Sequence, residues 1–344
     1  MAHNIINNHN INFDDNLIDL EISSTNSCQY FNSSDIKNLP SIDANFNLMH
    51  INSRSVLHKI TDFNLLLTSL NIDVNLLAIT ETWLNDDNAN LINLPNYSFV
   101  YHNRKSKNPG GGVGFFILKG IDFLVRDDLC PPSNYYESMA IEIYQKHSPN
   151  IIAFVIYRPP NIDANYFIDS LMPILTHVRN TSPNKHVYLM GDFNIDLLAD
   201  DHHNFSTNFS NSLSSLSFQP HINLPTRITE FSSSLIDNIF SNNYSHQSSA
   251  IIYSDISDHL PILVSFHQDN SNKFELSQYF GFNSTSIKNI DALNFSLSNW
   301  DWSPVTDSDD VNYAFDKFVD IFNTNLIKHC PPLKYNKNSK NFHG

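Results

Sequence analysis

A Gly, an Asp and an Asn follow directly after a short apolar run in the middle of the chain. Residues 187–190 form the run, and Gly191, Asp192 and Asn194 come after it. The run is short enough for a strand buried on both faces, and glycine permits a sharp exit from it. Asp192 and Asn194 alternate, so their side chains point to the same side. Together they can orient a water molecule and a substrate oxygen, although both residue types are also common in turns.

Other apolar runs adjoin polar residues in the same way. Asn52 follows one run, Glu81 follows another, and Tyr157 closes a third, directly before an Arg and two prolines. Asp237 and His259 each lie beside a further apolar run nearer the end of the chain. One such arrangement is weak by itself, but their combination and order form a specific signature.

This signature resembles the endonuclease/exonuclease/phosphatase superfamily, and more closely the apurinic-type endonuclease domain of non-LTR retrotransposons. The resembling segments are HINSRS (50–55), TETWL (80–84), GGGVGFFI (110–117), YRPPN (157–161), GDFNIDLL (191–198), LPTRIT (224–229), SLIDNIF (234–240) and SDHLPI (257–262). The resemblance implies an α/β fold, namely a four-layer sandwich of two packed mixed β-sheets flanked by helices. It also implies a metal-dependent phosphodiesterase that cuts DNA.

The same resemblance implies a divalent metal site, with magnesium as the expected ion and manganese as an alternative. Glu81 is the best candidate for a direct ligand, because magnesium takes hard oxygen ligands from only one or two carboxylates. We expect Asn52 to support the site through its carbonyl oxygen. Asp258 is expected to be a second acidic group near the metal. Glu81 could instead be a simple helix-start acid.

The resemblance further assigns catalytic roles to five residues. Asp192 positions or deprotonates the attacking water, and Asn194 holds the phosphate or the water. His259 contacts a phosphate oxygen, while Asp237 accepts a hydrogen bond from its other ring nitrogen. Such a carboxylate fixes the tautomer and raises the imidazole pKa. Tyr157 is expected to hydrogen-bond the phosphate.

The net charge of −15 is unusual for a protein that binds DNA, since phosphate binding rests on basic surfaces. A bound cation makes an acidic cluster locally attractive to phosphate. Basic and hydroxyl residues beside the motifs are expected to bind the substrate, although solvated surface charge is the alternative for the arginines. These residues are Arg54, Arg158, Arg227, Thr226 and Ser234.

The sequence divides into three segments. Residues 1–43 are rich in Asn and are expected to have little order. Residues 44–268 contain the resembling motifs and the alternation of strands and amphipathic helices. One helix is predicted from Val56 to Leu70, and another spans Pro173, which is expected to kink it. Residues 269–344 are expected to form a polar linker and a C-terminal amphipathic helix.

The remaining sequence features exclude several classes of protein. The three cysteines are far apart, so neither a zinc site nor a disulfide framework is predicted. No signal peptide and no membrane-spanning run is recognised, so we expect an intracellular protein without a membrane partner. The expected location is the nucleus when the enzyme is active. DNA is the expected partner, together with a reverse-transcriptase domain encoded downstream.

Two other functions are compatible with the sequence. Phosphodiesterases of the same superfamily that act on a lipid or an inositol phosphate share the core residues. The chain could also be an inactive remnant of a retrotransposon polyprotein, since no reverse-transcriptase motif follows the domain. The presence of every motif residue argues for activity.

Overall fold

The computed structural model describes residues 28–39, 42, 45–104, 110–146, 148–199, 204–243, 247–267, 287–308 and 310–329. The chain divides into two compact units, Met1–Asn272 and Lys273–Gly344. The first unit contains all the motifs of the resemblance, and each unit is described by itself.

Short strands are the most numerous elements in the described part of the first unit. They are β1 (Gln29–Phe31), β2 (Asn45–Asn52), β3 (Leu76–Thr80), β4 (Tyr97–His102), β5 (Val113–Leu118), β6 (Phe123–Val125), β7 (Glu137–Ile143), β8 (Ile151–Tyr157), β9 (His186–Asp192), β10 (Gln219–Pro220), β11 (Arg227–Ile228), β12 (Ser233–Ser234), β13 (Asp237–Ser241), β14 (Gln247–Ile252) and β15 (Ile262–His267). The helices of this unit are α1 (Val56–Leu70), α2 (Ala164–Thr181) and α3 (Asn204–Ser215).

Within the described residues, these strands form two large mixed sheets. The first sheet has seven strands in the order β1-β14-β15-β2-β3-β5-β4, and the second has six in the order β10-β13-β9-β8-β7-β6. Each sheet contains a parallel pair near its centre, β2 with β3 and β8 with β9, with antiparallel pairs beside it. At the edge of the first sheet, β1 also pairs in parallel with β14. The strands β11 and β12 form a separate two-stranded hairpin.

Apolar side chains pack in three layers around these sheets. The inner layer joins the two sheets face to face and includes Leu48, Ala153 and Met190. Helix α1 covers the outer face of the first sheet, where its Phe63 packs with residues such as Met49. Helices α2 and α3 cover the outer face of the second sheet. The expected four-layer α/β sandwich is therefore confirmed.

The periodic spacing correctly predicted the two long helices. Helix α1 contains the apolar positions whose spacing predicted it, and of these Val56, Phe63 and Leu70 are buried. Helix α2 continues through Pro173, and the Asp163 side chain caps its start by accepting hydrogen bonds from two backbone N–H groups.

The strand directions bring the motif residues to one edge of the sandwich. Strands β2 and β3 run in parallel, as do β8 and β9, so the carboxyl ends of each pair lie at a common edge. Strand β13 runs antiparallel to β9 and begins there, which places Asp237 opposite Asp192. Strand β15 begins beside the end of β2, with Ile262 opposite His50.

The ordered part of the first unit starts before residue 44, where we expected the domain to begin. Strand β1 pairs in parallel with β14, and a 3-10 helix follows it at Ser33–Asn38. Ile36 in this helix is fully buried in the layer beneath α1. The polar, Asn-rich composition of the segment hid these few apolar positions. The expected lack of order in residues 1–27 lies outside the described residues.

The described part of the second unit contains helices α4 (Ile287–Ser298), α5 (Ser303–Thr306) and α6 (Val311–His329). The amphipathic pattern predicted α6, whose Phe318 packs against Trp302 with ring centroids 5.8 Å apart. Val311 and Phe315, on the same helix, are exposed. Among the described residues, no helix has the length and apolar character needed to cross a membrane.

The boundary finding makes a prediction about Ile36. Replacement by Ala should lower the free energy of unfolding by about 2–5 kcal/mol, because it removes a fully buried apolar side chain. Lys37→Ala, at the exposed neighbouring position, is the matched control and should change stability little. Thermal or denaturant unfolding of the full chain measures both. Equal stability of the two variants would show that the segment before residue 44 is not part of the folded core.

Candidate active site

Five side chains from separate strand ends meet at the edge where β2, β3, β8 and β9 terminate. Asn52 connects two of them, since its Nδ2 donates to Glu81 Oε1 at 3.0 Å and to Asp192 Oδ2 at 2.8 Å. Asp237 Oδ2 lies 2.8 Å from His259 Nδ1. Asp192, Asp237 and His259 each offer a ligand atom within 4.8 Å of the others. The predicted residues therefore share one site.

Gly191 permits the strand pairing that places Asp192 in this site. A Cβ at residue 191 would lie 1.9 Å from the carbonyl oxygen of Ile156 on β8, so no side chain fits there. The sequence led us to expect a sharp exit at this glycine. Instead β9 continues to Asp192, and the glycine is needed for the close approach of two strands.

Asp237 and His259 form a buried dyad. Nδ1 of His259 faces Asp237 Oδ2, which leaves Nε2 as the ring nitrogen that Asp237 does not engage. Thr226 Oγ1 donates to the same carboxylate oxygen at 2.8 Å and accepts a hydrogen bond from the backbone N–H of Asp237 at 3.1 Å. Asp237 is thus fixed from two sides, and it fixes the orientation of the imidazole in turn.

The charges of these groups follow from their burial and their partners. Burial alone would lower the pKa of His259, but Asp237, Asp192 and Asp258 raise it to about 9. Burial would raise the pKa of Asp237, whereas the charge of His259 and its hydrogen bond lower it. Burial, together with the negative charge of Asp237, raises the pKa of Asp192. His259 is therefore a cation at neutral pH, paired with an ionised Asp237.

His50 is a site residue that the sequence reasoning missed. Its ring is buried between the sheets, with Nε2 3.1 Å from Thr80 Oγ1 and Nδ1 3.8 Å from Asp237 Oδ1. Within the described residues, neither Nδ1 nor that carboxylate oxygen has a hydrogen-bond partner. Burial lowers the pKa of His50 to about 4, so its ring is neutral. The signal was present, since His50 lies two residues before Asn52 on one strand and shares its face.

The donor set around Asn52 fits a hard divalent cation. Glu81 and Asp192 each accept a hydrogen bond from the same Asn52 nitrogen, so both carboxylates face one position. Magnesium in proteins is usually bound through one or two carboxylates. The expected role of the Asn52 carbonyl oxygen differs from the structure, where Oδ1 accepts from the backbone N–H of Arg54 at 3.3 Å. The physical reason is that two neighbouring carboxylates require a donor between them.

Backbone conformations of high energy surround this site. Arg54, Glu81 and Asn194 have φ angles of 43°, 53° and 48°, in the left-handed region that non-glycine residues rarely adopt. The backbone N–H of Asn194 donates to Asp192 Oδ1 at 3.0 Å, and its side-chain nitrogen donates to the carbonyl of Arg158 at 2.8 Å. Such conformations persist where surrounding contacts enforce them, and they concentrate at functional sites.

Asp258 holds two arginines at the rim of the site, and its expected role near the metal stays a prediction. Its Oδ1 accepts from Arg54 Nη1 at 3.0 Å, and its Oδ2 accepts from Arg227 Nε at 2.9 Å and Nη2 at 2.8 Å. Both oxygens are therefore already engaged by cations. We call Arg54 and Arg227 the arginine pair. Their side chains are 51% and 40% exposed, so both can reach a bound molecule.

Arg158 does not face solvent, and this differs from its expected contact with the DNA backbone. Its guanidinium is buried and donates to the backbone carbonyls of Phe193, at 2.6 Å, of Ile162 and of Asn194. Burial lowers its pKa. Arg158 thus fastens the loop after β9, which carries Asn194, to the loop before α2.

Thr226 is also internal, since it is fully buried and orients Asp237 instead of contacting substrate. Ser234 pairs with Arg227 across β11 and β12, and its carbonyl accepts from the backbone N–H of Thr226 at 2.9 Å. Tyr157 pairs with Asp192 in the strand register, and burial and the nearby Glu81 and Asp192 raise its pKa. Substrate contacts by Ser234 and Tyr157 stay predictions.

The dyad predicts a shift in titration when its carboxylate is neutralised. His259 should titrate near pH 9, and Asp237→Asn should move its pKa toward 6.5, because the largest favourable charge is lost. Because folding raises the pKa of His259, protonation of this ring stabilises the folded state. The stabilisation is complete below about pH 6.5 and is lost as the pH rises through about 9. The stability difference between parent and variant should therefore shrink over that interval.

Histidine NMR titration and unfolding at several pH values measure these effects. His221 is the internal control, because it is buried against Ser241 and its pKa, lowered to about 4, should be the same in both proteins. An unchanged His259 titration in Asp237→Asn would contradict the charged pair.

Comparisons with known proteins place this geometry in a family. The Endonuclease/Exonuclease/phosphatase family matches residues 38–259. No curated protein sequence matches the chain significantly.

Solved structures share the fold at low identity. The AP endonuclease LMAP from Leishmania major is 14% identical, with 65% of this chain and 88% of that chain covered and a TM-score of 0.51. The endonuclease domain of TRAS1, a telomere-specific non-LTR retrotransposon, is 12% identical, with 65% and 98% covered and a TM-score of 0.48. The 3′ phosphatase NExo from Neisseria is 16% identical, with 65% and 100% covered and a TM-score of 0.47. Since the family match extends over more than half of its length, the chain belongs to the Endonuclease/Exonuclease/phosphatase family.

Proposed function

We propose that the chain is a magnesium-dependent DNA endonuclease that hydrolyses one phosphodiester bond and so nicks one strand. The observation that carries the proposal is the meeting of Glu81, Asn52 and Asp192 with the dyad of Asp237 and His259 at one edge of the sandwich. Phosphodiester hydrolysis needs a positioned water, stabilisation of the negative charge on the phosphate and stabilisation of the leaving oxygen. This set of side chains can supply each of them.

Each side chain of the site is assigned a catalytic role that fits its chemistry. Asp192 is placed to orient the attacking water and to accept its proton, and Asn194 lies beside it to hold the water or the phosphate. His259, held as a cation by Asp237, can donate through Nε2 to a phosphate oxygen as negative charge develops there. Water adds to phosphorus, the bond to the leaving oxygen breaks, and that oxygen takes a proton.

A bound magnesium ion would supply further neutralisation of the phosphate charge, and Glu81 and Asp192 would hold it. Manganese is the alternative ion, because it also takes carboxylate ligands.

The arginine pair supports nucleic acid as the substrate despite the acidic chain. Two exposed guanidinium groups share one carboxylate at the rim, so the local charge of this cluster is positive. Guanidinium groups bind phosphate through paired hydrogen bonds, and neighbouring phosphates recur along a DNA strand.

The proposal also includes a biological role for the nick. A nick that leaves a 3′-hydroxyl would prime a reverse transcriptase, whose domain is the proposed partner, and the enzyme would then act in the nucleus. The similarity of the motifs to retrotransposon endonucleases supports this role over a lipid or inositol-phosphate substrate. The hydrogen bonds of Asp192 with Asn52, and of Asp237 with Thr226 and His259, support an active enzyme over an inactive remnant.

Metal-dependent nicking tests the proposal directly. The full chain with magnesium or manganese should convert supercoiled plasmid to the open circular form, and EDTA should abolish the conversion. Glu81→Gln should reduce the rate about 10²-fold or more, because a charged ligand becomes neutral. Asp169→Asn, an exposed carboxylate on α2, is the matched control and should retain full activity. Nicking that persists in EDTA would rule out the mechanism, and cleavage of inositol phosphates but not DNA would favour the alternative substrate.

The two environments of arginine predict different consequences of substitution. Arg227→Ala should weaken DNA binding and reduce the slope of log affinity against log salt by about one, because one phosphate contact is lost. Arg158→Ala should leave this slope unchanged and lower the stability by about 3 kcal/mol or more, since buried carbonyls lose their donors. Binding measured by anisotropy in EDTA at several salt concentrations, with unfolding in parallel, separates the two. Equal salt slopes for the parent and Arg227→Ala would show that Arg227 makes no phosphate contact.

A further inference from the structure

Trp83 combines two unfavourable features beside the proposed metal site. Its backbone φ is 54°, a left-handed conformation that bulky residues rarely adopt, and its side chain is 43% exposed. Neither feature helps the chain to fold, because the first costs conformational free energy and the second leaves an apolar ring in water. A residue that carries both costs beside the groups of the candidate site points to a role in binding.

The position of Trp83 is nevertheless well fixed. Its backbone N–H donates to the carbonyl of Gly111 at 2.8 Å, and its indole Nε1 donates to Glu81 Oε2 at 3.0 Å. A Cβ on Gly110 would lie 3.4 Å from Nε1, an ordinary van der Waals distance, so the backbone of Gly110 lies beside the indole. The edge of the ring that carries Nε1 is therefore fastened to the site. The residue as a whole keeps 43% of its surface exposed.

The order of the strands places Trp83 and the arginine pair on opposite sides of the reactive groups. In the first sheet the neighbours run β15, β2, β3 and β5. Asp258, which holds the arginine pair, precedes β15, while Trp83 follows β3 and contacts the glycines before β5. Asn52 and Glu81, at the ends of β2 and β3, lie between them. The site thus offers cations on one side and a flat aromatic surface on the other.

We infer that Trp83 binds a nucleobase of the substrate strand by stacking, next to the phosphate that is cleaved. A nucleotide carries an anionic phosphate and a flat aromatic base at a short distance, which matches this arrangement of cations and indole. Both faces of a paired base inside a duplex are covered by its neighbours, so the base that Trp83 takes is an unpaired one. Stacking tolerates any base, since each has a π-face.

This inference rests on the proposed DNA substrate and names the part of it that Trp83 recognises. It predicts that single-stranded or locally melted DNA binds better than a strand without bases. The indole N–H to Glu81 is a separate contribution, because it orients a carboxylate and does not require an exposed ring.

Two oligonucleotides and three variants test the inference. The full chain is titrated in EDTA with oligothymidylate and with an abasic oligomer of equal length, and the affinity is measured by anisotropy of the labelled oligomers. Trp83→Ala should weaken oligothymidylate binding about 5- to 150-fold, the usual effect of losing one stacked base, and leave abasic binding unchanged. Trp83→Phe keeps a stacking ring and loses the N–H, so it should retain most of the affinity. Trp300→Ala, at a similarly exposed Trp of the second unit, should have no effect.

The outcomes separate this inference from the proposed function. Equal losses for both oligomers, or a loss in Trp83→Phe as large as in Trp83→Ala, would overturn nucleobase stacking and assign Trp83 to the support of Glu81. Unchanged abasic binding by Trp83→Ala also shows that the variant is folded. Because EDTA prevents metal-dependent cleavage, base-selective binding can be read even if plasmid nicking fails, and nicking can succeed even if base selectivity is absent.

Discussion

Two carboxylates buried side by side constrain the edge of the sandwich at which the candidate active site lies. Asp192 and Asp237 are opposite each other on β9 and β13, and each is 1% exposed. Burying one ionised carboxylate is costly, and burying two beside each other adds repulsion. The structure offsets this with Asn52 and the backbone of Asn194 around Asp192, and with Thr226 and His259 around Asp237. The partners come from four separate parts of the chain, so the two carboxylates constrain where each of these parts lies.

Much of the candidate site could be predicted from the sequence because strand ends are visible as the ends of apolar runs. Asn52, Glu81, Asp192, Asp237 and His259 were all identified in this way, and the resemblance then supplied the four-layer arrangement. The direction in which a side chain points after the end of a strand is harder to predict from the sequence. Tyr157 belongs to the core between the sheets, so alternation turns the following Arg158 toward the helix layer, where loop carbonyls bind it.

Long-range pairing was the part that the sequence could not provide. In the sequence, Asp258 suggests a metal ligand because it precedes His259. Its ion-pair partner Arg54 lies 204 residues away in the chain, and no local sequence pattern predicts that pair. The same contact explains how an acidic chain can offer a basic surface. One carboxylate orients two exposed guanidinium groups, so the net charge of the molecule says little about the potential at this edge.

The distribution of the site along the chain also has a consequence for its synthesis. The hydrogen bond between Asn52 and Asp192 spans 140 residues, and the dyad is complete only when His259 has been added. Such distant contacts form late in folding, because a long loop must close before they contribute. A polypeptide that is still growing, or that ends before His259, therefore cannot assemble the candidate active site. The topology itself delays the hydrolytic chemistry until nearly the whole first unit has left the ribosome.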